Sequence, residues 1–418
     1  MGALLYRIAV SAYHLGIRLA ALFNPKARTW VDGRQNWLAD LQGWRSTIAA
    51  NDKVLWMHCA SLGEFEQGRP VLEQLRKDFP HLKIVLSFYS PSGYELRKNY
   101  AAADYICYLP ADTSSNAQGW ITNLRPDLIV FVKYEFWYFH LQAAFDQRIP
   151  TFLIAGAFRP QQLFFRWYGR TFLQLLHRFQ HLHVQTLADQ QLLQSHGLEQ
   201  VTVTGDPRVD QVMTIAQETV QYPPIAAFAT GAQVFIAGST WPPGEAILLA
   251  QKEWWSSDWK LLIAPHDISE SHVQQIVDRC PLPALRYSSE PTESELRGAR
   301  ILVLDTIGML SRVYRYGRLV YVGGGFGRSI HNTLEPAAYG LPLLFGPKHH
   351  KFAEAVALRE KGGAFVIENK ADFEACFAEL RDPSARALAS REVVSYLQQN
   401  QGATARIIVD LAKVLRPE

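Results

Sequence analysis

A carboxylate follows the first buried apolar run of the sequence, where a parallel sheet would present catalytic side chains. Residues 53–58 form this run and lead into Ser61-Leu62-Gly63-Glu64, before a helical pattern over about residues 65–77. Glu64 could accept a proton there as a general base, with Ser61 and Gly63 as neighbouring substrate contacts. Ser61 and Glu64 also fit the Ser-x-x-Glu capping box, which is common at helix starts and is the alternative interpretation.

A second carboxylate and a guanidinium group follow later runs of the same half. Residues 127–132 end in Lys133-Tyr134-Glu135-Phe136-Trp137, where aromatic neighbours would partly desolvate Glu135 and raise its pKa. Arg208, in the segment Gly205-Asp206-Pro207-Arg208, would add a positive charge near the same cleft. A solvated loop residue and an ordinary surface turn are the alternatives for Glu135 and Arg208.

A glycine-rich segment in the second half is typical of a phosphate or nucleotide contact. Residues 322–338 read Val-Gly-Gly-Gly-Phe-Gly-Arg-Ser-Ile-His-Asn-Thr-Leu-Glu-Pro-Ala-Ala and join a strand to a helix. Gly325 permits close backbone approach, and the N–H groups at the start of the helix attract an anion. Glu335 could bind both hydroxyl groups of a ribose, or it could only complement the helix dipole. The segment matches neither the P-loop nor the dinucleotide fingerprint.

Three further loops of the second half carry small or polar residues where a core-facing segment would be apolar. Each follows an apolar run, although each alone also fits a helix cap or a turn. These loops are Gly238-Ser239-Thr240-Trp241, Pro265-His266-Asp267 and Asp305-Thr306-Ile307-Gly308.

Two series of short β-rich runs, each followed by a helical stretch, position these loops. Because such continuous apolar strands are buried on both faces, they predict parallel sheets covered by helices. Pro223-Pro224 interrupts the pattern between the two series. We therefore predict two doubly wound α/β domains that face a central cleft, one over 31–219 and one over 232–418, joined by a hinge over 220–231. The first series comprises 53–58, 83–88, 127–132, 150–155 and 181–185, and the second 233–237, 260–264, 301–304, 319–322, 341–345 and 364–367.

The composition excludes several other classes of protein. The 418-residue chain is 48% hydrophobic, and its 42 basic residues against 39 acidic ones give a net charge of only +3. Disorder is therefore excluded, and no nucleic-acid partner is expected. The four cysteines are far apart and lack metal-ligand spacing, so we expect a reducing cytoplasm, no metal site and no cofactor.

Residues 1–30 differ from the rest of the chain. The stretch from Leu4 to Phe23 is nearly all apolar or small, with Arg7 and Arg18 along one edge of a helix. Each arginine would cost about 2.5 to 3.5 kcal/mol inside a membrane span, which favours a monotopic membrane anchor over a spanning helix. A helix packed on the surface of the protein itself is the alternative.

A second membrane contact is expected over Phe158–Arg170, where aromatic and basic residues alternate. Aromatic rings suit the headgroup level of a bilayer, and arginines suit anionic lipid. The alternative is that these aromatic side chains pack in the core of the protein.

Taken in order, these segments resemble the 3-deoxy-D-manno-octulosonic acid (Kdo) transferase family, glycosyltransferases of the GT-B fold with two Rossmann-like domains. The resemblance covers roughly residues 50–370. It is carried by Ser61-Leu62-Gly63-Glu64, Tyr134-Glu135-Phe136-Trp137, Gly238-Ser239-Thr240, Asp305-Thr306-Ile307-Gly308, His331-Asn332-Thr333-Leu334-Glu335-Pro336-Ala337-Ala338 and Phe345-Gly346-Pro347.

The resemblance implies transfer of Kdo from CMP-Kdo to a lipid A precursor, lipid IVA, at the cytoplasmic face of an inner membrane. It places the general base on Glu64 and support for the transition state on Glu135 and Arg208, although the family usually has Lys at the last position. Ser61, Gly63, Ser239, Thr240 and Gly325 are further candidate substrate contacts. The CMP contacts fall on Pro265, His266, Ile307, Gly308, Met309, Asn332, Thr333, Leu334 and Glu335.

The chemistry of a CMP-sugar bears on the need for a metal. Its leaving group is a phosphate monoester, so the departing charge is smaller than that of a nucleoside diphosphate. Helix N–H groups with Arg208 or Arg328 could balance that charge, which predicts a metal-independent reaction with inversion. A GT-B enzyme that uses another nucleotide sugar, or a membrane-associated sugar-nucleotide binder without catalysis, is the alternative.

Overall fold

The computed structural model describes residues 2–133, 136–251 and 258–416. The chain divides into two compact units. The first unit contains residues 1–210 and 400–418, and the second contains residues 211–399. The chain therefore passes from one unit to the other twice.

The first unit is built on a seven-stranded parallel sheet of order β3-β2-β1-β4-β5-β6-β7. Its strands are β1 Val54–Cys59, β2 Lys83–Phe88, β3 Tyr105–Tyr108, β4 Leu128–Val132, β5 Thr151–Gly156, β6 His181–Val184 and β7 Val201–Val203. Its helices are α1 Gly2–Ala20, α2 Pro25–Asp32, α3 Trp37–Ser46, α4 Leu62–Asp78, α5 Pro91–Arg97, α6 Ser114–Leu124, α7 Tyr138–Asp146, α8 Arg170–Leu176, α9 Leu187–Gln194 and α20 Ala403–Leu415, and α10 Pro207–Gln217 crosses the boundary between the units.

Both faces of this sheet are buried, as the continuous apolar runs predict. Alternate residues of β1 divide between two hydrophobic clusters. Trp56 packs with α6 and α7 on one face, and Met57 packs with α4 and α20 on the other. Ile407 and Leu411 of α20 belong to the second cluster.

The position of α20 corrects one predicted boundary. The sequence analysis assigned all of 232–418 to the second domain, whereas residues 400–418 belong to the first unit. The physical reason is the apolar face of α20, which covers the first sheet. The predicted hinge over 220–231 also contains a regular helix, Pro223–Ala229.

The second unit has a seven-stranded parallel sheet of order β10-β11-β9-β8-β12-β13-β14. Its strands are β8 Gln233–Thr240, β9 Trp259–Pro265, β10 Ala284–Arg286, β11 Ile301–Val303, β12 Gly317–Val322, β13 Leu343–Phe345 and β14 Ala364–Val366. Its helices are α11 Pro223–Ala229, α12 Pro242–Leu249, α13 Glu270–Arg279, α14 Glu293–Gly298, α15 Leu310–Val313, α16 Leu334–Ala337, α17 Ala353–Glu360, α18 Lys370–Arg381 and α19 Pro383–Asn400. Two doubly wound α/β units confirm the predicted fold class.

The amino-terminal segment forms the predicted helix, α1, and turns a row of apolar side chains outward. Leu4, Ile8, Leu15 and Leu19 are all exposed, whereas Tyr6 faces the body of the first unit. Among the described residues, no helix is both long enough and apolar enough to cross a bilayer.

The aromatic segment Phe158–Arg170 is divided between core and surface. Phe158 and Phe164 are buried, and Phe165 packs against the same cluster. Trp167, in contrast, is 91% exposed. The expected membrane contact over the whole segment is therefore wrong for its phenylalanines, because they fill the space beside α7 and α8.

Candidate active site

Several candidate residues of each unit follow the strands at which the order of its sheet reverses. In the first sheet the order reverses between β1 and β4, and in the second between β8 and β12. In open parallel sheets ligands bind outside the carboxyl ends of the strands at such a switch point. Glu64 follows β1, the segment with Glu335 follows β12, and Ser239 and Thr240 end β8. Glu135 follows β4 in the sequence but lies outside the described residues.

Ser61 and Glu64 make direct contact at the start of α4. Ser61 has the extended backbone of a helix N-cap, yet its side chain makes no capping hydrogen bond to the described helix. Its hydroxyl group donates instead to the carboxylate of Glu64, which is only 8% exposed. The capping box, the alternative interpretation of this motif, is therefore not formed. A buried carboxylate held by one hydroxyl group at a switch point is suited to accept a proton.

A short chain of polar contacts links this helix to Arg208. Gln67 lies one turn beyond Glu64 and donates a hydrogen bond of 3.2 Å to Asp206. Arg208 binds the same carboxylate through Nε at 3.0 Å and through a second guanidinium nitrogen at 2.6 Å. Burial acts to raise the pKa of Asp206, but the charge and hydrogen bonds of Arg208 outweigh it and lower the pKa. The structure thus joins Arg208 to α4, with its charge partly balanced by Asp206.

A buried network that the sequence analysis missed holds Trp137, the residue that precedes α7. His58, in β1, contacts Ser87 through Nδ1 at 2.9 Å and accepts a hydrogen bond of 2.8 Å from Nε1 of Trp137 at Nε2. Burial lowers the pKa of His58 well below its usual value, so the ring stays neutral and can accept. Trp137 also stacks on Tyr89 with ring centroids 4.1 Å apart. A histidine within an otherwise apolar run was the signal in the sequence.

Arg34 stabilises the chain at the carboxyl ends of β2 and β3 in the first sheet. It is buried, and its guanidinium group donates to the backbone oxygens of Leu109 and Tyr89 at 2.8 and 2.6 Å. It lies 3.9 Å from the ring centroid of Trp30. Burial lowers the pKa of Arg34 to about 10, which still leaves it charged at neutral pH. Arg34 therefore holds the residues that follow β2 and β3, and its own side chain stays buried.

In the second unit, glycines allow two backbone segments to meet at the switch point. The N–H group of Gly323 donates to the oxygen of Gly238 at 2.9 Å, and a Cβ atom on Gly323 would collide with the backbone of Ser239. Ser239 itself has a φ angle of 51°, in the left-handed region. Gly325 packs directly against Gly346. The main structural role of the glycine run is therefore to let backbone segments pack closely.

The helix after the glycine run is short. Only one turn forms, α16, and the N–H group of Leu334 is already bonded to Oδ1 of Asn332 at 3.0 Å. A single turn has a small dipole, so the predicted helix N-terminus is a weak phosphate site. Asn332 also donates to Glu335 at 3.0 Å and holds this carboxylate in place. Within the described ranges, Oγ1 of Thr333 is buried without a hydrogen-bond partner.

Three aromatic rings stack beside these residues. His266 stacks on both Trp241 and His331, with ring centroids 4.8 and 4.5 Å away. Nε1 of Trp241 donates to Nε2 of His331 at 2.8 Å. Burial and the neighbouring His266 lower the pKa of His331 to about 4, which keeps its ring neutral and able to accept. Trp241 and His331 occur in the predicted motifs, but the sequence analysis assigned them no role.

The remaining predicted contacts occupy two neighbouring strand ends. Pro265 ends β9 and is buried, and the N–H group of His266 donates to Thr240 at 3.0 Å. Ile307 is 83% exposed, and Gly308 has a φ angle of 87°. Sδ of Met309 lies 3.1 Å from Oγ1 of Thr306 at the start of α15. Gly63, in the first unit, is exposed at the start of α4.

The family model and the relatives that match this chain carry the same name. A family model described as 3-Deoxy-D-manno-octulosonic-acid transferase (kdotransferase) matches residues 35–211. The 3-deoxy-D-manno-octulosonic acid transferase of Aquifex aeolicus is 25% identical over 333 residues, which are 78% of this chain and 86% of the relative. The transferase of the same name from Haemophilus influenzae is 24% identical over 388 residues, which are 86% of each chain.

A solved structure shares the fold. The crystal structure of MurG from Acinetobacter baumannii aligns with a TM-score of 0.54 at 15% identity, and the alignment covers 87% of this chain and 99% of that chain. With the two parallel sheets, this likeness supports the GT-B architecture. The chain is thus similar over most of its length to proteins named as Kdo transferases, and its amino-terminal half matches the model of that family.

Proposed function

We propose that this protein transfers Kdo from CMP-Kdo to the lipid A precursor lipid IVA in lipopolysaccharide assembly. The observation that carries the proposal is the state of Glu64, which is buried, follows β1 at a switch point and is bound to Ser61 instead of capping α4. Similarity to proteins named as Kdo transferases supports the class of donor.

In the proposed reaction, a hydroxyl oxygen of the acceptor attacks the anomeric carbon of Kdo. A new carbon–oxygen bond forms as the bond from that carbon to the phosphate oxygen breaks, and CMP leaves with the electron pair. Glu64 accepts the hydroxyl proton. Attack opposite the leaving group inverts the configuration of the anomeric carbon. Glu135 and Arg208 are proposed to support the transition state.

The second unit is proposed to bind the donor. The carboxylate of Glu335, held by Asn332, can accept hydrogen bonds from ribose hydroxyl groups. The buried hydroxyl group of Thr333 and the neighbouring ring of His266 offer a polar contact and a stacking surface. Because α16 is a single turn, the charge on the departing phosphate requires a cation, for which we propose Arg208 and the exposed Arg328. With arginine in this role the reaction needs no metal.

The lipid acceptor requires contact with a bilayer, which we assign to α1. Its outward row of leucines is the kind of exposed apolar surface that lies in a membrane interface. Arg7 and Arg18 on the same helix are exposed and can meet anionic headgroups. We propose a monotopic attachment at the cytoplasmic face of an inner membrane, with Trp167 as a second contact.

A single-turnover assay with purified full-length protein tests this function. CMP-Kdo labelled in the sugar is mixed with lipid IVA in detergent, with and without EDTA, and the lipid product is separated and its anomeric configuration determined. Transfer with inversion, unchanged by EDTA, is expected. Consumption of a UDP- or GDP-sugar without any transfer from CMP-Kdo would show that the donor is wrong. Binding of CMP without transfer to any lipid would favour the non-catalytic alternative.

A further inference from the structure

Two histidines and an aspartate form a cluster in the first unit that the proposed reaction does not use. His181 and His183 lie two residues apart in β6, so both side chains point to the same face of the sheet. Asp410 of α20 meets them there. One ligand atom from each of the three side chains lies within 4.8 Å of the others.

His183 is the unusual member of this cluster. Its side chain is fully buried, and within the described part of the chain neither ring nitrogen has a hydrogen-bond partner. An imidazole ring buried without partners loses its hydration and gains no hydrogen bond in return, which is unfavourable. Nε2 lies 3.7 Å from a carboxylate oxygen of Asp410, which is too far for a hydrogen bond.

That separation suits two ligands of one ion. Bonds of about 2.0 to 2.2 Å in a tetrahedral site place neighbouring ligand atoms about 3.3 to 3.6 Å apart. Small side-chain movements would bring all three atoms of the cluster to such distances. Two imidazole nitrogens and one carboxylate oxygen are a donor set typical of zinc and similar first-row metals, and they suit magnesium or calcium poorly.

The surroundings of His181 also fit a metal ligand. Nε2 of His181 is 2.8 Å from Oγ1 of Thr202 in β7. A metal-bound imidazole usually has its second nitrogen hydrogen-bonded to an oxygen, which orients the ring. With Nε2 bonded to this hydroxyl group, Nδ1 is the nitrogen left for an ion.

We propose that His181, His183 and Asp410 bind one divalent transition-metal ion, best matched by zinc, and that this ion joins α20 to the first sheet. The fourth ligand is water, because His181 and Asp410 are only partly buried. The ion is structural and takes no part in transfer. The two histidines lie in β6, which β4 and β5 separate from β1 in the sheet, whereas Glu64 follows β1.

Zinc binding by the purified full-length protein tests the proposal. The protein is first treated with EDTA and dialysed. Zinc is then titrated by calorimetry, and the melting temperature is recorded with and without the metal. We expect one zinc ion per chain and a rise in melting temperature of about 5 °C at a large excess over Kd. Magnesium at the same concentration is expected to leave the melting temperature unchanged.

Three variants separate this site from incidental binding. His181→Ala and Asp410→Asn, at the partly exposed positions, are expected to fold, to lose the high-affinity zinc ion and to show no thermal shift. His81→Ala removes an exposed histidine of the same unit and is expected to behave as the wild type. The proposal is overturned if the wild type binds no stoichiometric zinc, or if both His181→Ala and Asp410→Asn retain it. Zinc binding and melting are measured without lipid or CMP-Kdo. The test of the zinc site therefore does not depend on the outcome of the transfer assay.

Discussion

Tyr6 of the amino-terminal helix donates a hydrogen bond of 2.6 Å to Oδ2 of Asp112, a buried carboxylate that follows β3. Asp112 also accepts from the backbone N–H groups of Phe139 and His140 at the start of α7. Burial, together with Asp112, raises the pKa of Tyr6, so the phenol keeps its proton and continues to donate. The face of α1 that carries Tyr6 is thereby fixed to the first unit, while its leucines remain exposed.

Replacement of Tyr6 by Phe is expected to lower the free energy of unfolding by about 1.5 to 3 kcal/mol, because it removes a hydrogen bond to a buried charged group. Urea denaturation followed by circular dichroism measures the change. Tyr13→Phe, on an exposed part of the same helix, is the control and should change stability by less than about 0.5 kcal/mol. Equal effects of the two substitutions would mean that the contact with Asp112 does not hold the helix.

Glu64→Gln is expected to slow Kdo transfer by about 10² to 10⁴-fold, because the amide cannot accept the acceptor proton. The side chain keeps its size and its contact with Ser61, so the melting temperature should change little. Single-turnover rates and thermal denaturation are measured together. Glu73→Gln, at an exposed position of the same helix, should retain the wild-type rate. Near-normal turnover of the Glu64 variant would reduce this residue to a structural role.

Replacement of both Leu15 and Leu19 by Ser is expected to weaken binding to anionic vesicles at least tenfold, because two apolar side chains would no longer enter the bilayer. Both leucines are exposed, so the fold should be kept. Co-sedimentation with vesicles at constant ionic strength measures the change. Trp167→Ser should give a smaller loss. Vesicle binding that is unchanged in the double variant would exclude the outward face of α1 as the membrane contact.

Phe164→Ser is the matched comparison for Trp167→Ser. Phe164 is 8% exposed and stacks edge-to-face on Phe136 at 4.8 Å. Its replacement is expected to cost about 3 to 5 kcal/mol of stability through loss of buried contacts. Thermal denaturation should therefore separate the core phenylalanine from the surface tryptophan.

Acid should destabilise the second unit through His331. Its pKa is lowered to about 4, against an ordinary value of 6.5, by burial and then by His266. Between these values the unfolded chain binds the proton and the folded chain does not, so the free energy of unfolding falls as the pH falls from 6.5 to 4. Protonation would also end the hydrogen bond that Trp241 donates.

Melting temperatures from pH 7 to pH 4 check this contribution. The His331→Gln variant is expected to lose less stability over that range than the wild type, because the amide does not titrate. His81→Gln, at an exposed position, should follow the wild-type curve. If the melting temperatures of the His331 variant and the wild type fell in parallel with pH, His331 would not be the source of the acid destabilisation.

The apolar runs predicted the main strands because both faces of each sheet are buried. Strands β3, β7 and β10 were not predicted, because each has only three or four residues and at least two of them are not buried. The role of Glu64 could not be chosen from the sequence either, because the same four residues fit a cap and a base. The structure shows only that the Ser61 hydroxyl group does not cap the helix, and the role of Glu64 as a base stays a prediction.

Patterns of apolar residues do not say which surface they cover. The amphipathic sequence of α20 would suit either sheet, and only the folded chain shows Leu411 packed on the first one. The aromatic residues near Phe164 show the same limit, because a ring that suits a membrane also suits a core. The contact between His58 and Trp137 depends on a loop path that no local spacing specifies.

The return of α20 to the first unit has a consequence for biosynthesis. As the ribosome works from the amino terminus, the apolar sheet face below this helix stays uncovered until residues 403–415 emerge, after the entire second unit. During elongation α4 already lies on that face, but the part that α20 covers stays open to solvent. A premature stop codon just after residue 399 would therefore leave the second unit whole and damage the half of the protein that was made first.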